Sequence, residues 1–363
     1  MTGKMISIRS VVRDIQSWLL GPEVQLTDVP HRGGVVGWFD EKDSPIFLYP
    51  EVVGYYLTWL AFFERISGQV NEAAYRANLA LSWIDRQLSD GAGIKTRIYL
   101  TEMPNDDWRN RGSFVFDLAM LIRGIASVRN LADYPERRAL AMRLMDLLLP
   151  FCTESGSLHA FQPHEITNCF PSSHWSCVDG SYQTKVAASL LSVHAALPIP
   201  SRLRETAISV YHKWREPSQM HSAECAHATF YYMEGLIIAA ANGLDPGAWS
   251  LAANAFIEAT KATPGFYSSN PQARSDVIGQ ALRIGCILHN KCHQRDTSFN
   301  RIHHLAEVLM QFATDEGAIL FSQFSPLRHK NVWASMFAHQ ALCFYECVAE
   351  GLPIDNGWLQ FLV

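Results

Sequence analysis

Several function classes are excluded by what this sequence does not contain. No apolar run approaches the roughly 20 residues of a membrane span. The segment Met1–Ser10 has no apolar core before Arg13 and Asp14, so it does not read as a secretory signal. Basic residues are in slight deficit, with a formal net charge of -5. A nucleic-acid binder would need a basic face instead. Ser/Gly-rich linkers, low-complexity tracts and long charge runs are missing. So are a Gly-x-Gly-x-x-Gly turn entering a helix, a Walker loop, a Gly-x-Ser-x-Gly elbow and an Asp-rich cyclase motif. The eight cysteines form no Cys-x-x-Cys pair. Several fall on apolar helical faces, where free Cys packs as a small hydrophobe. They read as reduced thiols of a cytoplasmic protein.

What is present is a repeated design. Six stretches begin with a polar or aromatic cluster, continue as small apolar helices and end near Gly, Asn or Pro. They start at Tyr49-Pro50-Glu51, Ser113-Phe114-Val115-Phe116-Asp117, Ser181-Tyr182-Gln183-Thr184-Lys185, His227-Ala228-Thr229-Phe230-Tyr231, Arg274-Ser275-Asp276 and Trp333-Ala334-Ser335. More ordinary amphipathic helices alternate with them, starting near 70, 135, 200, 246 and 298, with a first one over 5–20. Five such helices and six apolar ones leave one vacancy, which the first helix fills beside the last. The expected fold is all-α: a single (α/α)6 toroid of about twelve helices spanning 1–363. An open solenoid would need polar capping repeats, and the last helix, rich in Trp, Phe and Cys, does not read as one. The long links 21–48, 91–110, 155–180 and 316–330 carry Trp, His and Asp, and read as ordered loops over a pocket. A local hairpin is expected around Gly93–Tyr99.

Helical spacing puts polar residues of the apolar helices on shared faces. His227, Tyr231 and Glu234 make one stripe; Asp276, Gln280 and Arg283 another; Trp333 and Gln340, with His339 beside them, a third. Polar stripes on buried helices imply either a wet channel or a satisfied polar core. His227 and Glu234 are the expected acid–base pair, with Glu234 the deeper and its pKa raised by desolvation. Asp117, Asp276 and Tyr182 are the second choices for catalysis; helix N-termini should keep both aspartates ionised. Lys185, Arg274 and Arg283 suit a substrate carboxylate or phosphate. Glu51, Tyr55, Tyr231, Gln280, Trp333, His339 and Gln340, with Trp38, Trp108 and Trp175, complete the expected binding surface. His221, Cys225 and His227 are ligand types for zinc, but their spacing matches no strong metal signature. His289–His293 falls at a helix C-terminus, where cations favour the dipole anyway. No metal and no cofactor are expected.

Two of these stretches carry a resemblance. Tyr49-Pro50-Glu51-Val52-Val53-Gly54-Tyr55 resembles the Tyr-Pro-Glu-x-x-Gly-Tyr segment of toroidal sugar-active proteins. These include the helical domain of glucuronyl C5-epimerases and toroid proteins of exopolysaccharide gene clusters. Ser113–Asp117 with Gly124 resembles their Phe-Asp helix. The N-acylglucosamine 2-epimerase superfamily shares the architecture, although its regular paired histidines are not matched here. The resemblance implies an isomerase or epimerase acting on a small sugar in a central pocket. Alternatives are a hydrolase or lyase on uronic-acid-containing glycans, a tailoring enzyme of secondary metabolism, and a non-catalytic toroid binding a glycan or partner in a polysaccharide-biosynthesis complex. No nucleic-acid partner is expected; a protein partner or a homodimer is compatible with all of these.

Overall fold

The computed structural model describes residues 7–89, 93–101, 107–131, 135–165, 174–216, 226–262, 273–292 and 299–363. Twelve main helices alternate between an outer and an inner ring. The outer ones are α1 (Ile8–Leu19), α3 (Val70–Ser89), α5 (Arg137–Leu148), α7 (Ser201–Trp214), α9 (Ala248–Ala262) and α11 (Phe299–Met310). The inner ones are α2 (Pro50–Ser67), α4 (Val115–Ser127), α6 (Gln183–Ser192), α8 (Ala226–Ala241), α10 (Ser275–Cys292) and α12 (Val332–Ala349). A short helix, α13 (Asn356–Leu359), follows. The outer helix α1 packs on α12 and closes the ring, as expected for a toroid. No described helix is long and apolar enough to cross a membrane.

The two rings differ in the way their sequences predict. On α3 the buried positions are Ala73, Ala77, Ala80, Leu81, Ile84 and Leu88, with Trp83 beside them; this is a single stripe. On α2 every residue from Pro50 to Phe63 is buried, as suits a helix with neighbours on all sides. Local signals set the ends. Pro50 opens α2, where its missing N–H costs nothing, and Gly68 closes it in the left-handed region at φ 69°. Asn331 caps α12 by accepting the Ala334 N–H at 2.9 Å.

Within the inner ring the closest partners are α2 with α4, α6 with α8, and α10 with α12. Missing side chains permit the approach. A Cβ on Gly54 would stand 2.6 Å from the Met120 carbonyl, and one on Gly124 would collide with the Gly54 carbonyl oxygen. A Cβ on Gly235 would lie 2.5 Å from the Lys185 backbone nitrogen. Gly124→Ala should therefore push α2 from α4. The expected loss is about 1–3 kcal/mol, the usual range for overpacking, checked by denaturant unfolding. A variant as stable as the parent would show that the two helices can separate freely.

The long links are knitted together over one end of the ring. Strand β1 (Phe47–Leu48) pairs with β2 (Ile98–Tyr99), and β3 (Gly112–Phe114) with β4 (Phe161–Pro163), both antiparallel. Segment 93–99 is thus not the local hairpin expected from its sequence; its strand partner lies some fifty residues upstream. Isolated bridges join Val36 to Leu48, Trp38 to Asn331 and Leu320 to Lys330, so links 21–48 and 316–330 hold each other. The described cysteines Cys152, Cys177, Cys286, Cys292, Cys343 and Cys347 are free thiols.

Candidate active site

A cavity of about 660 Å³ opens at the end of the ring where inner helices begin. Five of the six inner helices line it at or next to their first turns. Glu51, Val52 and Tyr55 come from α2, Phe116 and Asp117 from α4, His227 and Tyr231 from α8, Arg274 from just before α10, and Trp333 from α12. The links add Trp38, Tyr49, Arg97, Arg109, His174, Trp175 and His329.

The chemical centre of this cavity is a carboxyl pair that the Gly54–Gly124 crossing brings together. Asp117 and Glu51 both line the cavity and both are buried, and the charge of Glu51 is felt at Asp117. Burial and then the negative charge of Glu51 push Asp117 well above the ordinary carboxyl range; nearby Arg97 opposes this only in part. Burial also raises Glu51, while Tyr49 and the Lys185 charge pull the other way. Both shifts favour a protonated carboxyl in the pair, most strongly at Asp117. The expectation that the helix N-terminus keeps Asp117 ionised is corrected: desolvation and a like charge outweigh a half-charge dipole. The Tyr55 hydroxyl continues the network, donating to Tyr231 at 2.9 Å.

Across Tyr231 lies His227, their ring centroids 4.3 Å apart. His227 Nδ1 meets Gln280 Oε1 at 2.6 Å. Gln280 spends its amide nitrogen on Glu234 at 3.3 Å, so its oxygen faces the imidazole. Nδ1 must then carry the hydrogen, which leaves Nε2 as the acceptor. Burial drives the His227 pKa down to about 4, against the pull of Asp276, so the ring is neutral near pH 7. Asp276 itself is fully buried behind the cavity wall. Burial raises its pKa, but Arg274 and His227 overcome this and hold it at about 2. It accepts from Arg274 at 3.1 and 2.6 Å and from the Trp333 indole at 3.2 Å. It is thus ionised, and it holds Arg274 and Trp333 in place.

Several expected site residues lie elsewhere. Glu234, Lys185, Gln280, Arg283, His339 and Gln340 are all fully buried, and none lines the cavity. Glu234 accepts from Lys185 at 2.7 Å and from Arg283. Burial raises its carboxyl, yet Arg283 and Lys185 more than offset this, so its pKa is lowered. The expected raised pKa is therefore corrected, because the deeper site is dry but doubly compensated. Lys185, lowered to about 8 mainly by burial, also donates to the Val363 carbonyl at 3.2 Å. Arg283 donates to Gln340 at 2.8 Å, and Gln340 donates to the Phe361 carbonyl at 2.8 Å. His339 accepts the Trp59 indole N–H at 3.2 Å. Residues 360–363 thus fill the axis beneath the cavity, and the polar residues around them form a floor. Glu51, Asp117, Lys185, Glu234, Asp276 and Gln340 come from the six different inner stretches, and a shared pocket would bring at least four of them together; only Glu51 and Asp117 line the cavity.

The aromatic expectations divide similarly. Trp38, Trp175 and Trp333 line the cavity. Trp108 sits behind, edge-on to Phe114 and His174 at 5.9 and 5.6 Å. Tyr182 is buried, donates to the Val178 carbonyl at 3.2 Å and packs edge-on to Trp175 at 5.1 Å. Arg97, Arg109, His174 and His329 are not among the expected site residues, and Tyr49 is expected only as the start of its motif. All five precede helices or stand in links, where helical periodicity gives no signal. The one sequence mark of Arg97 and Arg109 is the clustering of Arg, Trp and Tyr within 97–111. No group of three or more metal-ligating side chains occurs among the described residues. His221 and Cys225 lie outside those residues.

No protein-family model and no curated relative matches the sequence. Solved structures do match the fold. A D-mannose isomerase superposes with a TM-score of 0.67 at 13% identity, covering 94% of this chain and 97% of that one. The cellobiose 2-epimerase of Spirochaeta thermophila gives 0.67 at 12% identity, covering 96% and 100%. An unsaturated glucuronyl hydrolase specific for heparin gives 0.64 at 11%, covering 94% and 96%. The whole described ring, not a fragment of it, is therefore an (α/α)6 toroid of the kind found in these enzymes.

Proposed function

We propose that this protein is a carbohydrate-active enzyme that moves a proton on a sugar, in the manner of an epimerase or isomerase. The observation that carries this is the pairing, in one aromatic-lined cavity, of a neutral imidazole with a carboxyl pair that retains a proton. Abstraction of a hydrogen next to a carbonyl needs a base on one side and an acid on the other. His227 Nε2 would take the proton from carbon. The Asp117–Glu51 pair would deliver one to oxygen or to the opposite face. Arg274, anchored by Asp276, would steady the developing negative charge. Trp38, Trp175 and Trp333 offer flat apolar faces of the sort on which sugar rings stack. The toroids of similar fold named above act, by their names, on sugars, which supports the substrate class.

Hydrolysis is the competing chemistry, since a protonated carboxyl also serves a departing glycosidic oxygen. It needs a second carboxylate about 5–5.5 Å away for retention, or roughly 6.5–9.5 Å away for inversion. Asp276 lies behind the cavity wall, and the remaining lining carboxylates, Asp40 and Glu41, stand in the 21–48 link. The titratable group that the inner helices set beside the acid pair is the His227 imidazole, which favours proton transfer at carbon.

Incubation with reducing hexoses, disaccharides and uronates in deuterated water tests this. The product, and substrate recovered at partial conversion, should carry deuterium at the carbon next to the carbonyl. Turnover should fall as pH drops through about 4, where His227 takes up a proton. It should fall again as pH rises through the elevated pKa of the Asp117–Glu51 pair, where the acid is lost. Glycosidic cleavage without deuterium at carbon would assign the site to hydrolysis.

A further inference from the structure

Four cationic side chains near the site are already committed: Lys185 and Arg283 to Glu234, Arg123 to the 360–362 backbone, and Arg274 to Asp276. Arg97 and Arg109 are different. Both line the cavity, and both lean on one carboxylate. Asp107 Oδ1 accepts from the Arg109 backbone and guanidinium, each at 3.1 Å. Its Oδ2 accepts from Arg97 at 3.3 Å and the Tyr99 hydroxyl at 2.8 Å. Among the described residues the two guanidinium groups thus meet at one carboxylate.

Arg97 is also short of a hydrogen bond: its Nε is buried with no acceptor among the described residues. The Nε atoms of Arg123, Arg215 and Arg283 are likewise without an acceptor among the described residues, but of these arginines only Arg97 lines the cavity. The guanidinium lies over the Phe47 and Trp38 rings at 4.4 and 5.1 Å, which strip water from it and strengthen its field. That field is felt at Asp117, so Arg97 stands beside the acid pair. Of the described acidic residues in the 21–48 link that line the cavity, neither Asp40 nor Glu41 forms an ion pair with Arg97. Asp40 accepts the Lys42 and Ser44 backbone N–H groups at 2.8 and 2.9 Å, and Glu41 is exposed.

We infer that Arg97 and Arg109 form an anion-reading wall, and that the substrate is a sugar bearing a carboxylate or phosphate; this rests on the sugar chemistry proposed above. The anion would supply the acceptor that Arg97 Nε lacks among the described residues. It would also place the sugar with its reacting carbon between the acid pair and His227.

Binding, rather than turnover, provides the test. A neutral hexose, the matching hexuronate, the matching hexose phosphate and inorganic phosphate are each titrated by calorimetry into the full chain and into Arg97→Gln. Arg109→Gln serves as a second variant, because its partly exposed side chain makes it the safer one for folding. At low salt at least one anionic sugar should bind about tenfold or more tightly than the neutral one, as charge-assisted bonds imply. Either variant should erase that preference while leaving the neutral sugar unchanged. Tighter hexuronate binding identifies a carboxylate, and tighter hexose-phosphate binding a phosphate; each supports the wall. Inorganic phosphate bound through Arg97, with no sugar bound at all, keeps the wall and sinks the sugar chemistry. Equal affinity for neutral and anionic sugars, an equal loss for both in the variants, or no binding by any of the four overturns the anion wall.

Discussion

Asp117→Asn should abolish turnover while leaving the toroid folded. The substitution preserves shape and removes the transferable proton. General-acid groups contribute roughly 10²–10⁴-fold to rate, so a loss of that size is expected in kcat, with little change in KM. Stability should hold or rise slightly. In the native protein burial and the Glu51 charge raise the Asp117 pKa, so its neutral form is preferred on folding. That preference is fully met below the unfolded pKa and is lost as pH rises through the folded one. The amide has no charge to lose, so the variant should resist alkaline destabilisation better than the parent. Thermal melts at two pH values, together with steady-state kinetics, separate the two effects. An Asn variant with parental kcat would remove Asp117 from the chemistry.

Why the fold was legible and the site only partly so follows from what periodicity encodes. The inner helices announce themselves through uninterrupted burial between polar starts and terminal turns, as in Pro50 to Gly68. Such signals are local and survive any arrangement of neighbours. The i, i+4, i+7 stripe of His227, Tyr231 and Glu234 was equally visible, and these residues do share a face. Spacing does not encode depth, however. Seven residues at 1.5 Å of rise separate the ends of that stripe by about 10.5 Å. Over this distance the surroundings change from a cavity lined by His227 to a dry cluster around Glu234. Nor does the stripe reveal Arg97 or Tyr49, which reach the cavity through β1–β2 pairing between distant links. Glu51 and Asp117 were each visible as first-turn acids. Their union depends on a helix crossing that only the paired glycines, Gly54 and Gly124, hint at.

Glu234 carries the second large effect, on stability rather than catalysis. Its carboxylate is fully buried and compensates two buried cations, Lys185 and Arg283. Glu234→Gln removes the charge and strands both. Breaking a buried pair by deleting one partner costs about 3–5 kcal/mol, a large share of a typical domain's net stability. The penalty should fall most heavily on Lys185, whose pKa is already lowered to about 8 chiefly by burial. Without Glu234 it should drop further, and the ammonium should lose its proton near neutral pH. The sign is then fixed for both partners. Glu234 has a lowered folded pKa, so its contribution is present above the unfolded value and is lost as pH falls through the folded one. In Glu234→Gln the unfolded Lys185 binds a proton more readily than the folded one, so the variant should regain stability as pH rises through 8. A double variant, Glu234→Gln with Lys185→Met, removes the stranded ammonium and leaves Arg283 its bond to Gln340. It should recover a substantial part of the loss. Denaturant unfolding of the parent, both single variants and the double variant closes the cycle. Additive losses, with no recovery in the double variant, would mean that the floor of the toroid is held by packing around residues 360–363 and not by this charge cluster.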